Sequence, residues 1–188
     1  QRIIDYTYQQ LLNWTRQFGN HNVSALIGHE NYWHKSYALV ASASNMLLPE
    51  NDELAGAITQ NVYDSYRTDY NNEGWLARVN YDFDNRYFVS ASVRRDGSSR
   101  FHPKHRWGTF WSAGGAWLLS SEKFFNVPWV DMLKIKLSYG EQGNDNIGNF
   151  RYVNTYTIVN SNGVPAAQPS TMGNENITWE KGGNLNAG

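Results

Sequence analysis

Five histidines are the first side chains in this 188-residue sequence whose type could do chemistry. His102 and His105 lie three apart, and His29 and His34 five apart. A structural metal site wants four ligands. No thiol exists in the chain, no carboxylate stands beside His102 and His105, and Pro103 breaks regular geometry between them. These histidines are expected on surface loops, and no metal or cofactor is expected. Asp96-Gly97-Ser98-Ser99 offers hydroxyls, but it lacks a G-x-S-x-G elbow and no ordered His and Asp follow it. Its residue types suit a tight turn, braced by Arg94, Arg95 and Arg100 through bonds to carboxylates or carbonyls. Asn144-Asp145-Asn146 with Gly148 lacks the acidic alternation and the terminal Glu of a calcium loop. Asp82 with Asp84, and Asp52 with Glu53, do not present two carboxylates across a sugar. No catalytic residue emerges, and the chain is read as not an enzyme.

Aromatic rings are the remaining candidates for ligand contact. Eight Trp, twelve Tyr and eight Phe make 15% of a chain that is only 18% charged, with a mean hydropathy of −0.63. Trp33, Tyr37, Tyr63, Tyr66 and Tyr70, with Tyr32, gather in or beside a long polar stretch between His34 and Gly74. Sugar faces stack on such rings. The same rings could instead pack that loop against its neighbours or against a partner. The net charge of −1, with no long basic run, argues against nucleic acid. No apolar run approaches the length of a membrane helix. The absence of cysteine removes any disulfide framework or thiolate site.

The elements that would position these residues read as strands. Trp75, Ala77, Val79, Tyr81 and Phe83 alternate with polar residues, as do Tyr87, Val89, Ala91 and Val93, and Leu133, Ile135, Leu137 and Tyr139. Tyr6–Trp14, Val23–His29 and Trp107–Leu119 carry the pattern less cleanly. Phe150–Ile158 is read as an extra strand. Connections run short (Phe18 to His21), long (His34 to Gly74), short (Asp84-Asn85), long (Arg95 to Arg106), medium (Ser120 to Asp131) and long (Gly140 to about Lys181). Such alternation gives a sheet one plain end and one crowded end. Strands of about ten residues span roughly 33 Å, which a 45° tilt projects to about 24 Å, close to the ~25 Å apolar band of an outer-membrane barrel. Rings at strand ends (Trp75, Phe83, Tyr87, Trp107, Tyr139) would then form two interface girdles. A soluble β-sandwich that binds carbohydrate shares the alternation and stays open on pattern alone.

One stretch carries a family resemblance. Arg94-Arg95-Asp96-Gly97-Ser98-Ser99-Arg100-Phe101, then the segment Trp107–Trp117, Ser121-Glu122-Lys123-Phe124, and Leu133–Gly140 with Gly143-Asn144 resemble the C-terminal barrel region of SusC/RagA-family TonB-linked outer-membrane proteins. Trp179-Glu180-Lys181 before Asn184 is similar to that family's strand start after a long loop, and Leu26–Glu30 is the most family-like part of the first 74 residues. Residues 160–175 match nothing in it.

The resemblance implies an all-β antiparallel meander forming part of a large transmembrane β-barrel, in the outer membrane of a Gram-negative bacterium of the Bacteroidota. It implies an importer of oligosaccharides or peptides that works with a SusD-like surface lipoprotein as lid and is driven through TonB. Residues 1–188 are expected to be an incomplete segment of one barrel domain, about six full strands and the start of a seventh, with no plug domain. Arg78, Asn80, Asp82, Ser90, Ser92, Arg94, Lys134, Lys136 and Ser138 would face the lumen, and Ala77, Val79, Val89, Ala91, Val93, Leu133, Ile135 and Leu137 lipid. Trp33, Tyr37, Tyr63, Tyr66 and Tyr70 remain the candidate cargo or lid contacts.

Overall fold

The computed structural model describes residues 1–48, 50 and 53–188, and all of their side chains except those of Gln60, Val62 and Tyr63. Seven strands form one antiparallel sheet in which each pairs with the next: β1 (Arg2–Phe18), β2 (His21–Met46), β3 (Ala57–Phe83), β4 (Tyr87–Ser98), β5 (Trp107–Leu118), β6 (Lys134–Asn144) and, after an excursion, β9 (Glu180–Ala187). Inside the excursion, β7 (Thr155–Ser161) and β8 (Val164–Thr171) make a separate hairpin. Strands β1 and β9 are the two edges of the large sheet.

The sheet has no second layer. Among the described residues only Phe101, Phe110 and Trp179 are buried apolar side chains. Val79, Val89, Val93, Ile135 and Leu137 lie between 44% and 57% exposed, although they alternate as a core face would. A sandwich would bury that row against a facing sheet. The sandwich alternative therefore finds no support in the fold.

The register sorts the side chains into two faces. Ile27, Ala77 and Val93 sit on one line across β2, β3 and β4, and Ala25, Val79, Ala91 and Ala113 on the next, extending to β5. Asn80 and Ser90 are paired on the opposite face, as are Ser92 and Ser112, whose hydroxyls lie 2.7 Å apart. Rings bound the apolar face at two levels. At the end with short turns, His21, Phe83, Tyr87, Trp117 and Phe124 follow one another with centroids 4.8 to 6.4 Å apart. At the other end stand His29 against Trp75, Trp111 against Tyr139, and the Arg95 guanidinium over Trp107. Tyr6 and Trp33, paired with each other, continue this level four residues further out. Six to twelve strand steps separate the levels, roughly 20 to 40 Å along the strand and about 14 to 28 Å after a 45° tilt.

The expected loop between His34 and Gly74 is mostly strand. β2 continues to Met46 and β3 begins at Ala57, so the two strands run on as a ribbon beyond the rings. Apolar residues fall on both faces of this ribbon, Ala38 and Val40 on one and Tyr37 and Leu39 on the other, so its sequence shows no clean alternation. Its ladder nonetheless runs on to Met46↔Ala57, with a register shift at Ser42/Ala43 and Asn45, at a left-handed φ of 60°, outside the pairing. Likewise β4 reaches Ser98, into the segment expected as loop from Arg95. The extra strand read over Phe150–Ile158 is displaced to Thr155–Ser161, because Phe150 takes a left-handed φ of 61° in a turn. The second half of its hairpin went unread, although Asn162-Gly163 is a two-residue turn signal and both residues have positive φ.

Candidate functional site

The crowded end of the sheet holds the densest polar chemistry, and the segment Arg94–Phe101 lies at its centre. Side chains alternate along β4, so Arg94, Asp96 and Ser98 point to the polar face while Arg95 points to the apolar one. Arg94 Nε donates to both carboxylate oxygens of Asp96, at 2.7 and 2.8 Å, and Arg94 Nη2 lies 3.5 Å from Glu30 on β2. Gly74 makes the room: a Cβ there would run into the Asp96 carboxylate and the Arg94 guanidinium. Arg95 is placed differently from its neighbour. It rests 5.5 Å from the Trp107 ring centroid, and no carboxylate is recorded against it among the described residues.

Asp145, from the segment after β6, is the hub of the network. Its Oδ2 accepts from Tyr70 Oη at 2.8 Å and from Ser98 Oγ at 2.7 Å. Arg100 Nη1 donates to the Asp145 carbonyl at 3.1 Å, and the Arg100 guanidinium lies over the Tyr70 ring at 4.5 Å. Ser99 ties the turn to β3, its Oγ accepting from the Asn71 amide at 2.9 Å. Ser98 is fully buried. Three segments distant in sequence thus meet at one carboxylate.

Beneath them lies the apolar cluster of Phe101, Phe110 and Trp179, with Ile147 and Ile177 packed against it. The β5–β6 ladder stops at Ser112↔Gly140, while both strands continue outward. Beyond that point Lys181 Nζ donates to the Thr109 carbonyl at 3.0 Å, and Trp179 Nε1 donates at 2.8 Å to the Arg106 carbonyl, which also accepts from the Ser98 backbone N–H at 3.1 Å. The Phe110 ring fills the parted strands so closely that a Cβ on Gly143 would overlap it. This cluster clamps the base of the 145–179 excursion to the wall.

Below it the polar face is lined by small hydroxyl and amide groups. Ser90, Ser92, Ser112, Ser138, Asn184 and Asn186 line a groove of about 720 Å³ that opens towards the Arg94–Asp96 pair. No group there combines a nucleophile with a base, and no cluster of three or more potential metal ligands occurs among the described residues.

The candidate contact rings do not converge. Trp33 and Tyr37 share the apolar-face parity of β2, and Tyr37 is covered by the Arg67 guanidinium at 5.4 Å. Tyr66 and Tyr70 have the opposite parity on β3. Tyr70 is held by Asp145, and Tyr66 is 51% exposed. The Tyr63 side chain and Asp52 lie outside the described residues. Arg67 also hydrogen-bonds Asp69, which holds that carboxyl below its usual range. His102 approaches Glu175 at 4.0 Å, and His34 meets Asp5 at 2.6 Å, so these histidines bridge polar segments. Asp145, Phe110 and Trp179 went unrecognised as a site, because their partners lie 45 to 75 residues away in sequence.

The plain end has its own knot. Glu122 accepts from Tyr87 Oη at 2.5 Å, Trp117 Nε1 at 3.1 Å and Arg86 Nη1 at 3.2 Å, and Arg86 also pairs with Asp84. The Tyr87 and Trp117 bonds, with the Arg86 charge, hold the Glu122 carboxyl below its usual range.

No protein-family model matches the chain. Sequence comparison finds TonB-dependent receptor P39 of Formosa agariphila, 29% identical across 98% of this chain and 18% of its own length. TonB-dependent receptor SusC of Bacteroides thetaiotaomicron is 36% identical across 61% of this chain and 12% of its own length. The RagAB peptide transporter structure superposes on 98% of the chain with a TM-score of 0.91 and 25% identity, covering 21% of that chain. The same importer in its "open-open" state gives 0.84. The chain therefore spans about a fifth of the relatives it matches. These relatives are named as receptors and transporters, none as an enzyme. In sequence and in fold together, the chain is similar to a β-barrel segment of SusC and RagA transporters.

Proposed function

We propose that this sheet is part of the wall and extracellular rim of a TonB-dependent outer-membrane importer of oligosaccharides or peptides, covered by a SusD-like surface lipoprotein. The observation that carries the reading is the two-faced sheet: an apolar face bounded by two levels of rings, backed by a face of Ser, Asn and ion pairs. In lipid such a sheet leaves no backbone group unsatisfied only when its edges are closed. β1 and β9 are open here, so further strands of the same barrel complete the wall and the 188 residues are one part of a single barrel domain. The crowded end is extracellular and the plain end periplasmic, as loop lengths dictate.

Within this reading the polar face looks into the lumen. Tyr66 and Tyr70 then stand on the cargo side above the groove, while Trp33 and Tyr37 stand on the outer side, where a lid or lipid headgroups meet them. Arg94 to Phe101 holds the rim together rather than touching cargo. The test is uptake of labelled oligosaccharide and peptide by cells carrying the complete transporter, with and without TonB. Uptake should vanish without TonB, and Tyr66→Ala should weaken cargo binding more than Trp33→Ala. TonB-independent uptake at the same rate overturns the importer reading, and unchanged binding in both variants removes the aromatic contacts from it.

A further inference from the structure

The β7–β8 hairpin stands apart from the large sheet, and isolated two-stranded hairpins are at best marginally stable in water. Its two edges differ in a way that the turn geometry makes readable. Asn162 and Gly163 both have positive φ, at 53° and 85°, which is the two-residue turn whose flanking residues, Ser161 and Val164, close a hydrogen-bonded pair. Bonded and non-bonded pairs alternate along an antiparallel ladder. The pairs Asn160↔Pro165, Ile158↔Ala167 and Tyr156↔Pro169 are therefore the non-bonded ones, whose backbone groups point away from the hairpin.

On β8, two of these three outward positions are proline. Proline has no N–H, so that edge has lost most of its donors and cannot take another strand. On β7 the same three positions are Tyr156, Ile158 and Asn160, each keeping its outward N–H and C=O. Tyr156 and Ile158 are also 59% and 69% exposed. One edge is thus blunted and the other is a free template. A row of alternating backbone donors and acceptors at strand spacing recognises another backbone, not a sugar or a lipid. The base of the hairpin is held to the wall through the Trp179 cluster and Asp145, at the end we assign to the cell surface.

We propose that the outer edge of β7 seats an extended strand of the lid lipoprotein by β-augmentation. A passing cargo peptide would leave the edge and its two large side chains bare between transport events, inviting unwanted pairing. A resident subunit covers them continuously. The inference rests on the lid reading above.

The test uses the complete transporter isolated with its lid from outer membranes, and amide hydrogen exchange resolved across residues 155–161. Exchange at Ile158 and Asn160 should be slow with the lid bound and fast in lid-free barrel. Ile158→Pro removes one outward N–H, as Pro165 and Pro169 already do on β8, and should lower lid affinity about tenfold, the worth of one or two backbone hydrogen bonds. Ala167→Pro, on the blunted edge, should leave affinity unchanged. Slow exchange at the inward Val159 amide reports that a variant hairpin is still formed. Slow exchange at Ile158 and Asn160 that persists without the lid assigns the edge to another part of the same chain and overturns the proposal. Protection that appears in lid-free barrel only on adding a synthetic peptide assigns it to cargo, and fast exchange throughout leaves the edge unoccupied; both overturn it. Copurification of no lid with the wild type defeats the lid reading and this inference together. A lid that copurifies but holds Ile158→Pro as tightly defeats this inference alone.

Discussion

The two ends of the sheet are each tied by one carboxylate with several donors, and the ties differ in reach. At the plain end, Glu122 gathers Arg86, Tyr87 and Trp117, all within 36 residues and next to the turns they serve. At the crowded end, Asp145 gathers Tyr70, Ser98 and Arg100, from 45 to 75 residues away, and is backed by a buried cluster. A short turn needs only a local brace, because loop closure over few residues costs little entropy. A 35-residue excursion between β6 and β9 must be pinned by contacts of high sequence separation or it would wander. The lesson is that the crowded end is a built structure rather than a fringe of loops, and that its rigidity depends on side chains rather than on the ladder.

Breaking that comparison starts where the effect is largest. Trp179→Ala removes a buried ring and the donor to Arg106 O, and should cost about 3 to 5 kcal/mol of local stability. Limited proteolysis should then cut between Asp145 and Trp179 while the plain end stays protected; equal protection of both ends would show that the cluster is not the clamp. Asp145→Ala strands the Tyr70, Ser98 and Arg100 donors and should cost about 1 to 3 kcal/mol. Asp145→Asn should recover part of this in the same thermal unfolding measurement.

The plain end offers a pH signature. The Glu122 carboxyl is lowered in the folded state by its Tyr87 and Trp117 bonds and the Arg86 charge. Its contribution is therefore fully present above the unfolded-state carboxylate value and is lost as pH falls through the lower folded value. Acid titration of the Trp117 environment should show that loss in wild type and not in Glu122→Gln. A retained transition in the variant would assign it elsewhere. The smallest effect belongs to Arg95→Met, which removes only the stacking on Trp107, about 0.5 to 1 kcal/mol at an exposed site. A loss as large as that of Asp145→Ala would mean that Arg95 has a partner beyond that ring.

Much of the sheet was legible because one face is apolar. Trp75–Phe83 and Tyr87–Arg94 show period two, since each residue either meets the apolar side or does not. Where apolar residues fall on both faces, as over residues 34–46 and 57–70, the backbone ladder alone makes the strand and no side-chain pattern records it. The Asn162-Gly163 turn was visible in type but lay in a segment without alternation to flank it. The bracing role read for Arg94 and Arg100 follows from charge beside a turn, and both are bonded to carboxylates. Arg95 departs from it because strand parity turns it to the opposite face. Asp145 could not be found from its neighbours, because what makes it a hub is where β3 and β4 end.

The central claim is that Ala91 faces lipid while its neighbour Ser90 faces an aqueous lumen. This chain has no cysteine, so in the complete transporter a fluorophore can be attached at Ala91→Cys or Ser90→Cys, with any cysteine elsewhere in that protein replaced first. The measurement is quenching of each label in liposomes by lipids brominated on their acyl chains and by a water-soluble quencher. The account predicts strong quenching by bromolipid at position 91 and by the soluble agent at position 90. Equal quenching at the two positions, or the reverse order, would contradict it.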